Sequence, residues 1–359
     1  MKIRKITLQN YKRFVKPQTF SFTNPDGEIN EKTLFVGDNG TGKSSILQAI
    51  VALVASATRE KFKPQDLDWS GYNFRHLQTG KLPLKVEVEI EFGETEIIAT
   101  QEYAEKLKEM DVKLGKAPEN YQTVILSLDF HTKKVNAKEG LGAFNQFSGY
   151  QYAKRLAALT SDKNTLFEKI GNIYWYTEQR NINNVTNFLE NKGNKSLQLD
   201  DIRKMFAYAY QYHLALGKGT RSIREGKFDI YEKLANLYAQ VFSGRKLIGI
   251  DAYYDMNEIG KAPNFSISDG KNEYELSGMS AGERAILPIL INFAYLNINN
   301  SIIIIDEIEL HLHPPLQQKL VRVLSQLGKN NQFIFTTHSN TIASMFDESE
   351  NQIIRLPNE

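Results

Sequence analysis

Thr33-Leu34-Phe35-Val36-Gly37-Asp38-Asn39-Gly40-Thr41-Gly42-Lys43-Ser44 runs from a short apolar segment into a glycine-rich turn. It continues into a stretch rich in Ile, Leu, Ala and Val that reaches Ala57. Residues 37–44 fit G-x-x-x-x-G-K-[ST], and the flanks are those the mechanism needs, a buried strand before the turn and a helix after it. Glycines let the backbone curl around phosphate oxygens so that consecutive N–H groups point inward. Lys43 then supplies a point charge to the β/γ-phosphates, Ser44 a hydroxyl to Mg²⁺, and the helix start its dipole. The ligand read from these residues is a nucleoside triphosphate. The competing reading, a glycine-rich turn with an incidental lysine, does not account for the strand and helix on either side.

Two more segments carry chemistry. Ser301-Ile302-Ile303-Ile304-Ile305-Asp306-Glu307 is an apolar, β-branched run ending in two carboxylates. That is the form of a central parallel strand delivering acids at its C-terminal edge. Asp306 is expected to hold Mg²⁺ through water, and Glu307 to orient or deprotonate the attacking water. Taken alone the run also fits an apolar strand with a solvated acidic cap; beside a phosphate loop the catalytic reading gains. The third segment, Glu275-Leu276-Ser277-Gly278-Met279-Ser280-Ala281-Gly282-Glu283-Arg284, opens a helix with small residues. Ser280 and Gly282 can offer a hydroxyl and backbone N–H groups to phosphate, although such a loop alone is more often a capped helix start.

Around these segments the pattern is α/β. Residues 3–8 and Thr19–Phe22 predict an opening β-hairpin. Leu84–Phe92 alternates with period 2, and Tyr121–Phe130 and Ile173–Tyr176 are further strands, so the N-terminal half reads as a sheet with one buried helix. From Asn184 to Phe242 the pattern becomes helical, with runs at Ile202–Leu216 and Phe228–Val241 around a Gly217-Lys218-Gly219 loop. Strands resume at Leu247–Tyr254 and Asn264–Ser268. The remainder alternates helix and buried strand: Glu283–Tyr295, Ser301–Ile305, Leu316–Leu327 and Gln332–Thr336. The two ends thus read as halves of one α/β unit.

Of the 359 residues, 44 are Lys or Arg and 42 Asp or Glu, a net charge of +2, so nucleic-acid contact would need a local cluster and not a global basic field. There is no cysteine, which excludes disulfides, thiolate metal sites and a cysteine nucleophile. The opening residues lack the apolar core of a secretory leader and no stretch reaches the length of a membrane span, so a cytoplasmic location without membrane attachment is expected.

The phosphate loop, the S-x-G-E loop, the IIIIDE strand and Phe335-Thr336-Thr337-His338-Ser339, in this order on both sides of a helical insertion, resemble the ABC-type ATPases of the RecF, SMC and OLD group. Leu8-Gln9-Asn10-Tyr11-Lys12-Arg13-Phe14 is similar to that group's first-strand motif. The resemblance implies a P-loop NTPase head of N- and C-terminal halves, residues 1–183 and 246–359, with a helical insertion at 184–245. It implies an ATPase using ATP and Mg²⁺, dimerising head-to-tail or forming a larger homo-oligomer. Each nucleotide would be held by Asn39, Gly40, Thr41, Gly42, Lys43, Ser44 and Ser45 of one copy and capped by Ser280, Gly282 and Glu283 of another. Ser44, Asp306 and Gln179 would serve the metal, Gln179 as a Mg²⁺- and water-sensing glutamine. Catalysis would rest on Lys43, Glu307 and His338, the last as a γ-phosphate switch. Two positions depart from the group: Ala281 where a first glycine is usual, which bears on the hydrolysis rate, and Asn340 where proline is frequent.

By the same resemblance, such heads control a separately encoded nuclease or toxin in anti-phage defence, or act in DNA repair as a RecF-like clamp that binds DNA. A transporter subunit is disfavoured by the insertion and the first-strand motif. The insertion is too short for SMC arms, since ~1.5 Å per residue gives a hairpin of only about 40 Å. The segment after His338 leaves no room for an OLD-type nuclease, so the effector is expected on another polypeptide.

Several weaker signals have plain readings. Glu309-Leu310-His311-Leu312-His313-Pro314 has a zinc-like His-x-His, but a dimer-contact loop explains the alternation without a metal. Lys2, Arg4, Lys5, Lys12, Arg13 and Lys16, and Lys218, Arg221, Arg224 and Lys227, can be phosphate contacts or solvated faces. Tyr208, Tyr210 and Tyr212 can stack on bases or pack on a neighbouring element.

Overall fold

The computed structural model describes residues 1–114, 118–160, 165–178, 199–219, 229–250 and 264–357. In chain order its strands and helices are β1 (Lys2–Gln9), β2 (Gln18–Ser21), β3 (Lys32–Val36), α1 (Lys43–Thr58), β4 (Lys85–Glu91), α2 (Glu94–Glu109), β5 (Thr123–Asp129), β6 (Lys134–Ala137), α3 (Gly149–Leu159) and β7 (Ile173–Tyr176). There follow α4 (Leu199–Gly217), α5 (Ile230–Val241), β8 (Lys246–Ile250), β9 (Phe265–Ser268), β10 (Glu273–Glu275), α6 (Ala281–Leu296), β11 (Ile302–Ile305), α7 (Pro314–Leu324), β12 (Gln332–Thr337), α8 (Asn340–Ala343) and β13 (Ile353–Arg355). By contact the chain forms two units. One is Met1–Thr177 with Ile298–Ile308 and Gly328–Glu359; the other is Glu178–Asn297 with Glu309–Leu327.

In the first unit the ends of the chain do meet in one sheet, as their pattern predicts. Its order is β13-β3-β12-β11-β7, parallel throughout. β11 is isoleucine at all four positions and buried at each, as a central parallel strand requires. A second, antiparallel sheet, β2-β1-β4-β5-β6, contains the expected opening hairpin. Helix α1 is apolar nearly all round, and such a helix must be covered on every side. Its Ile46, Leu47, Ile50 and Val54 share one core with Ile6, Val88 and Leu126 of the antiparallel sheet and with Ile173, Ile302 and Ile334 of the parallel one.

One expectation needs correction. The N-terminal half holds more than one buried helix: α2 and α3 pack on each other through Ala99, Tyr103, Leu107, Tyr152, Ala153 and Leu156. The apolar stripe on α2 is narrow, with alanines and a tyrosine where leucines usually mark a core face. The C-terminal strand β13 also went unread.

In the second unit α4, α5, α6 and α7 accompany a three-stranded antiparallel sheet, β10-β9-β8. Gly249 on β8 has φ +130°, and the Tyr210 ring occupies the space a Cβ would need there. Tyr210 also sits edge-on to Tyr231 at 5.0 Å, so this tyrosine is a packing residue, whereas Tyr208 is exposed. Arg221, Arg224 and Lys227, and the predicted end of the β8 strand at 251–254, lie outside the described residues. Among the described residues no helix is long and apolar enough to cross a membrane.

Candidate nucleotide site

The phosphate loop leaves β3 and enters α1 as its sequence dictates. Gly40 and Gly42 take φ +79° and +94°, conformations that side chains resist. A Cβ on Gly42 would lie 2.7 Å from both Arg13 Cδ and Phe14 Cζ. Thr41 closes the turn by donating its hydroxyl to the Asp38 carbonyl at 2.9 Å. Lys43 is buried, and its ammonium donates to the carbonyls of Gly37 at 2.7 Å and Asp38 at 3.0 Å. No side chain caps the start of α1, which is the arrangement a phosphate ligand uses. Asn39 and Gly40 are exposed at the tip.

A cavity of about 250 Å³ opens at this turn, lined by Lys12, Arg13, Asn39, Gly40, Gly42, Lys43, Ser44, Ser45, Glu307 and His338. Lys12 and Arg13 were not expected here. They arrive on a tight turn in which Tyr11 and Phe14 exchange backbone hydrogen bonds. Arg13 donates to the Gly40 carbonyl, and Lys12 to Gln48 Oε1 and, at 2.9 Å, to the Gly71 carbonyl. Burial lowers the Lys12 pKa to about 8. One of the two basic clusters thus belongs in part to the phosphate loop; its signal was the first-strand motif that carries both residues.

The acids come from the end of β11. Asp306 is 1% exposed, and Glu307 follows with φ +46°, a left-handed backbone that turns its side chain out of strand register. One residue orients both. Thr336, on the neighbouring β12, donates its hydroxyl to Asp306 Oδ1 and accepts the Glu307 N–H at 2.7 Å. Glu307 Oε1 stands 4.0 Å from His338 Nε2, with both side chains about one-third exposed, at 34% and 32%. Ser44 and Asp306 offer the hard oxygen donors that suit Mg²⁺. Gln179 lies outside the described residues.

Thr336→Val keeps the side-chain shape and removes the hydroxyl. Both groups it serves then lose a partner in a buried setting, so stability is expected to fall by about 1–3 kcal/mol. Hydrolysis is expected to fall roughly 10- to 100-fold, as when the partner orienting a site carboxylate is lost. Thermal unfolding and phosphate release measure the two effects. Unchanged turnover would deny Thr336 its orienting role.

Residues 1–343 match the AAA ATPase domain family. The chain belongs to that family. A retron Vc95 probable ATPase of Vibrio cholerae serotype O1 biovar El Tor is 23% identical over 407 aligned residues, spanning 99% of this chain and 73% of its own length. A retron Ec83 probable ATPase of Escherichia coli is 26% identical over 396, spanning 97% and 70%. A solved Smc head bound to the C-winged helix domain of ScpA shares the fold, with a TM-score of 0.52 over 96% of this chain and 91% of that one, at 16% identity. The motif order that resembles the ABC-type ATPases of the RecF, SMC and OLD group thus sits on an α/β fold shared with a solved Smc head.

In the second unit of this AAA ATPase, Ser280 caps α6 as the S-x-x-E pattern requires. Its hydroxyl accepts the Glu283 N–H at 3.3 Å, while Glu283 Oε2 accepts the Ser280 N–H at 2.9 Å. Ser280 is exposed, but the other two expected capping residues are not. Gly282 is buried, and a Cβ there would lie 3.1 Å from the His311 carbonyl, so its glycine serves close packing. Glu283, the third of them, is 1% exposed and is held inside the unit. Its carboxylate pairs with Arg245, accepts from Tyr238, and accepts from Tyr274 at 2.7 Å. Both of its oxygens are taken by these partners and by Ser280, whose hydroxyl donates to Oε2 at 2.8 Å.

Burial by itself would raise the Glu283 carboxyl, but Arg245, Tyr238, Tyr274 and the Ser280 N–H outweigh it and hold the pKa down to about 2. A depressed carboxylate stabilises the fold above its unfolded value near 4.3, and that contribution disappears as pH falls through the folded value. Glu283→Gln is therefore expected to cost on the order of 2–3 kcal/mol at neutral pH. The gap between parent and variant should close as pH drops from about 5 towards 2. Urea unfolding at stepped pH tests this, and a gap independent of pH contradicts it.

Proposed function

We propose that this ATPase is a molecular switch whose copies close head-to-tail around ATP and open after hydrolysis, controlling a separately encoded effector such as a nuclease or toxin in anti-phage defence. The observation that carries this reading is the division of the phosphate-handling groups. Lys43, Ser44, Glu307 and His338 line one cavity in the first unit, while the exposed Ser280 stands at a capped helix start in the second, its hydroxyl donating to Glu283 at 2.8 Å. A γ-phosphate offered to both would join two copies in a way that ADP cannot, and this differential contact is what a two-state element needs from its ligand.

Within the site, Lys43 carries charge to the β/γ-phosphates, Glu307 orients or takes a proton from the attacking water, and His338 answers the γ-phosphate. Ser44 and Asp306 would hold Mg²⁺, which when bound neutralises phosphate charge. The retron ATPases among the relatives favour the defence setting. Against a DNA clamp stands the employment of Lys12 and Arg13 at the phosphate loop, which takes two cations from the N-terminal basic cluster. The test is the mass of the Glu307→Gln chain by sedimentation. A dimer or larger species in ATP and a smaller one in ADP support the switch; one mass in both removes it.

A further inference from the structure

We propose that Gln48 is a positioning residue of this ATPase: by holding the Lys12 ammonium against the nucleotide cavity, it sets the affinity for ATP. The inference rests on reading that cavity as the ATP site, since Lys12 is part of its wall. Gln48 lies on α1 one turn after Ser44, which puts the two on the same face of the helix. It is 2% exposed and stands in a run, Ile46 to Ala55, that is otherwise apolar. A buried amide costs free energy unless its atoms find partners, and an aliphatic side chain would fill this place without that demand.

Both ends of the amide are used. Nε2 donates to the Ser70 carbonyl at 2.9 Å, and Oε1 accepts from the Lys12 ammonium. The Ser70 carbonyl can only accept, so it fixes which way the amide faces and leaves the oxygen for Lys12. The same ammonium donates to the Gly71 carbonyl at 2.9 Å and lies 5.6 Å from the centre of the Tyr72 ring, whose hydroxyl donates to the Pro64 carbonyl at 2.8 Å. Gln48 thus ties together α1, the turn that carries Lys12 and the loop at 70–72. Of the three N–H donors on the ammonium, two are engaged by Gln48 and Gly71. The third has no partner among the described residues and is available to a nucleotide oxygen. A lysine held in this way loses little further side-chain freedom when the ligand arrives.

Burial lowers the Lys12 pKa to about 8, so the ammonium is charged below that pH and neutral above it. Its contribution to ATP affinity is therefore present at pH 7 and lost as pH rises past 8. Arg13, Lys43, Glu307 and His338 line the same cavity, and Tyr72, whose own pKa burial raises, faces the ammonium. The effect of Lys12 is accordingly read as the difference between the parent and Lys12→Met, which share all of these groups.

The experiment is a double-mutant cycle on ATP affinity, measured by equilibrium titration with ATP and Mg²⁺. At pH 7, Gln48→Met is expected to weaken binding about tenfold, Lys12→Met about tenfold, and the two together still about tenfold. Between pH 7 and pH 9 the parent is expected to lose about fivefold in affinity, and either variant less than about twofold. Methionine keeps the length of glutamine and suits the apolar setting of α1. Gln48→Leu replaces it if thermal unfolding shows the methionine chain to be disturbed. Equal losses from the Gln48 substitution in the parent and in the Lys12→Met chain overturn the proposal and leave Gln48 a packing residue. So does a Gln48 variant that keeps the parent's pH profile. Lys43→Ala separates this inference from the reading of the cavity. If that variant loses ATP while the cycle is additive, the ATP site stands and the role of Gln48 falls; if it keeps parental affinity, both fall.

Discussion

Glu307→Gln is expected to lower ATP hydrolysis about 10²- to 10⁴-fold, the usual worth of a positioned general base, and to leave ATP affinity close to that of the parent. Glutamine has the shape of glutamate and keeps an oxygen that can accept a hydrogen bond, but it cannot take a proton from water. The backbone that aims the side chain is untouched: φ +46° at residue 307 and the N–H bond to Thr336 Oγ1 at 2.7 Å owe nothing to the carboxylate. Steady-state phosphate release and an equilibrium nucleotide titration separate the two halves of the expectation. Turnover equal to the parent's would take Glu307 out of the chemistry. A matching loss of affinity would make it a binding residue instead.

Lys43→Ala is expected to weaken ATP binding on the order of 100-fold, the scale on which a charge-assisted contact to phosphate is lost. The Lys43 ammonium is held by the Gly37 and Asp38 carbonyls inside the turn, so it stands where the β/γ-phosphates would come without a large side-chain search. Alanine is compatible with the first position of α1, but the Gly37 and Asp38 carbonyls lose the ammonium, so a stability loss of about 1 kcal/mol is expected beside the loss of the ligand. Titration with ATP and Mg²⁺ measures this, and parental affinity would contradict the phosphate-loop assignment.

What could be read from sequence was what neighbouring residues decide among themselves. Gly37 to Ser44, the run Ile302–Glu307 and the capping pair Ser280 and Glu283 each announce their geometry within a few positions, and the structure forms each one. Unread were features that arise where distant segments meet. Thr336 gains its role only because β12 lies beside β11 in a register that puts its hydroxyl between two acids, and no local pattern marks that threonine. Glu283 looked like a residue available to a ligand until Tyr238, Arg245 and Tyr274 converged on it from three separate places in the chain. Gly282 shows how one residue satisfies two readings: a glycine expected for its N–H is required for its missing side chain. Helix α2 escaped notice because Ala99 and Tyr103 make a core stripe that is weak in hydrophobicity although fully buried.

The position of β3 between β12 and β13 reaches beyond the resting structure. The strand that launches the phosphate loop finds its hydrogen-bonding neighbours some three hundred residues later, at Phe333–Thr337 and Ile353–Arg355. Such distant pairings form late and slowly, because the entropy of closing the intervening chain has to be met first. During synthesis the glycine turn therefore lacks its platform until residue 355 has been made. A fragment released before then would lack both hydrogen-bonding neighbours of β3, and with them the frame on which the turn is mounted.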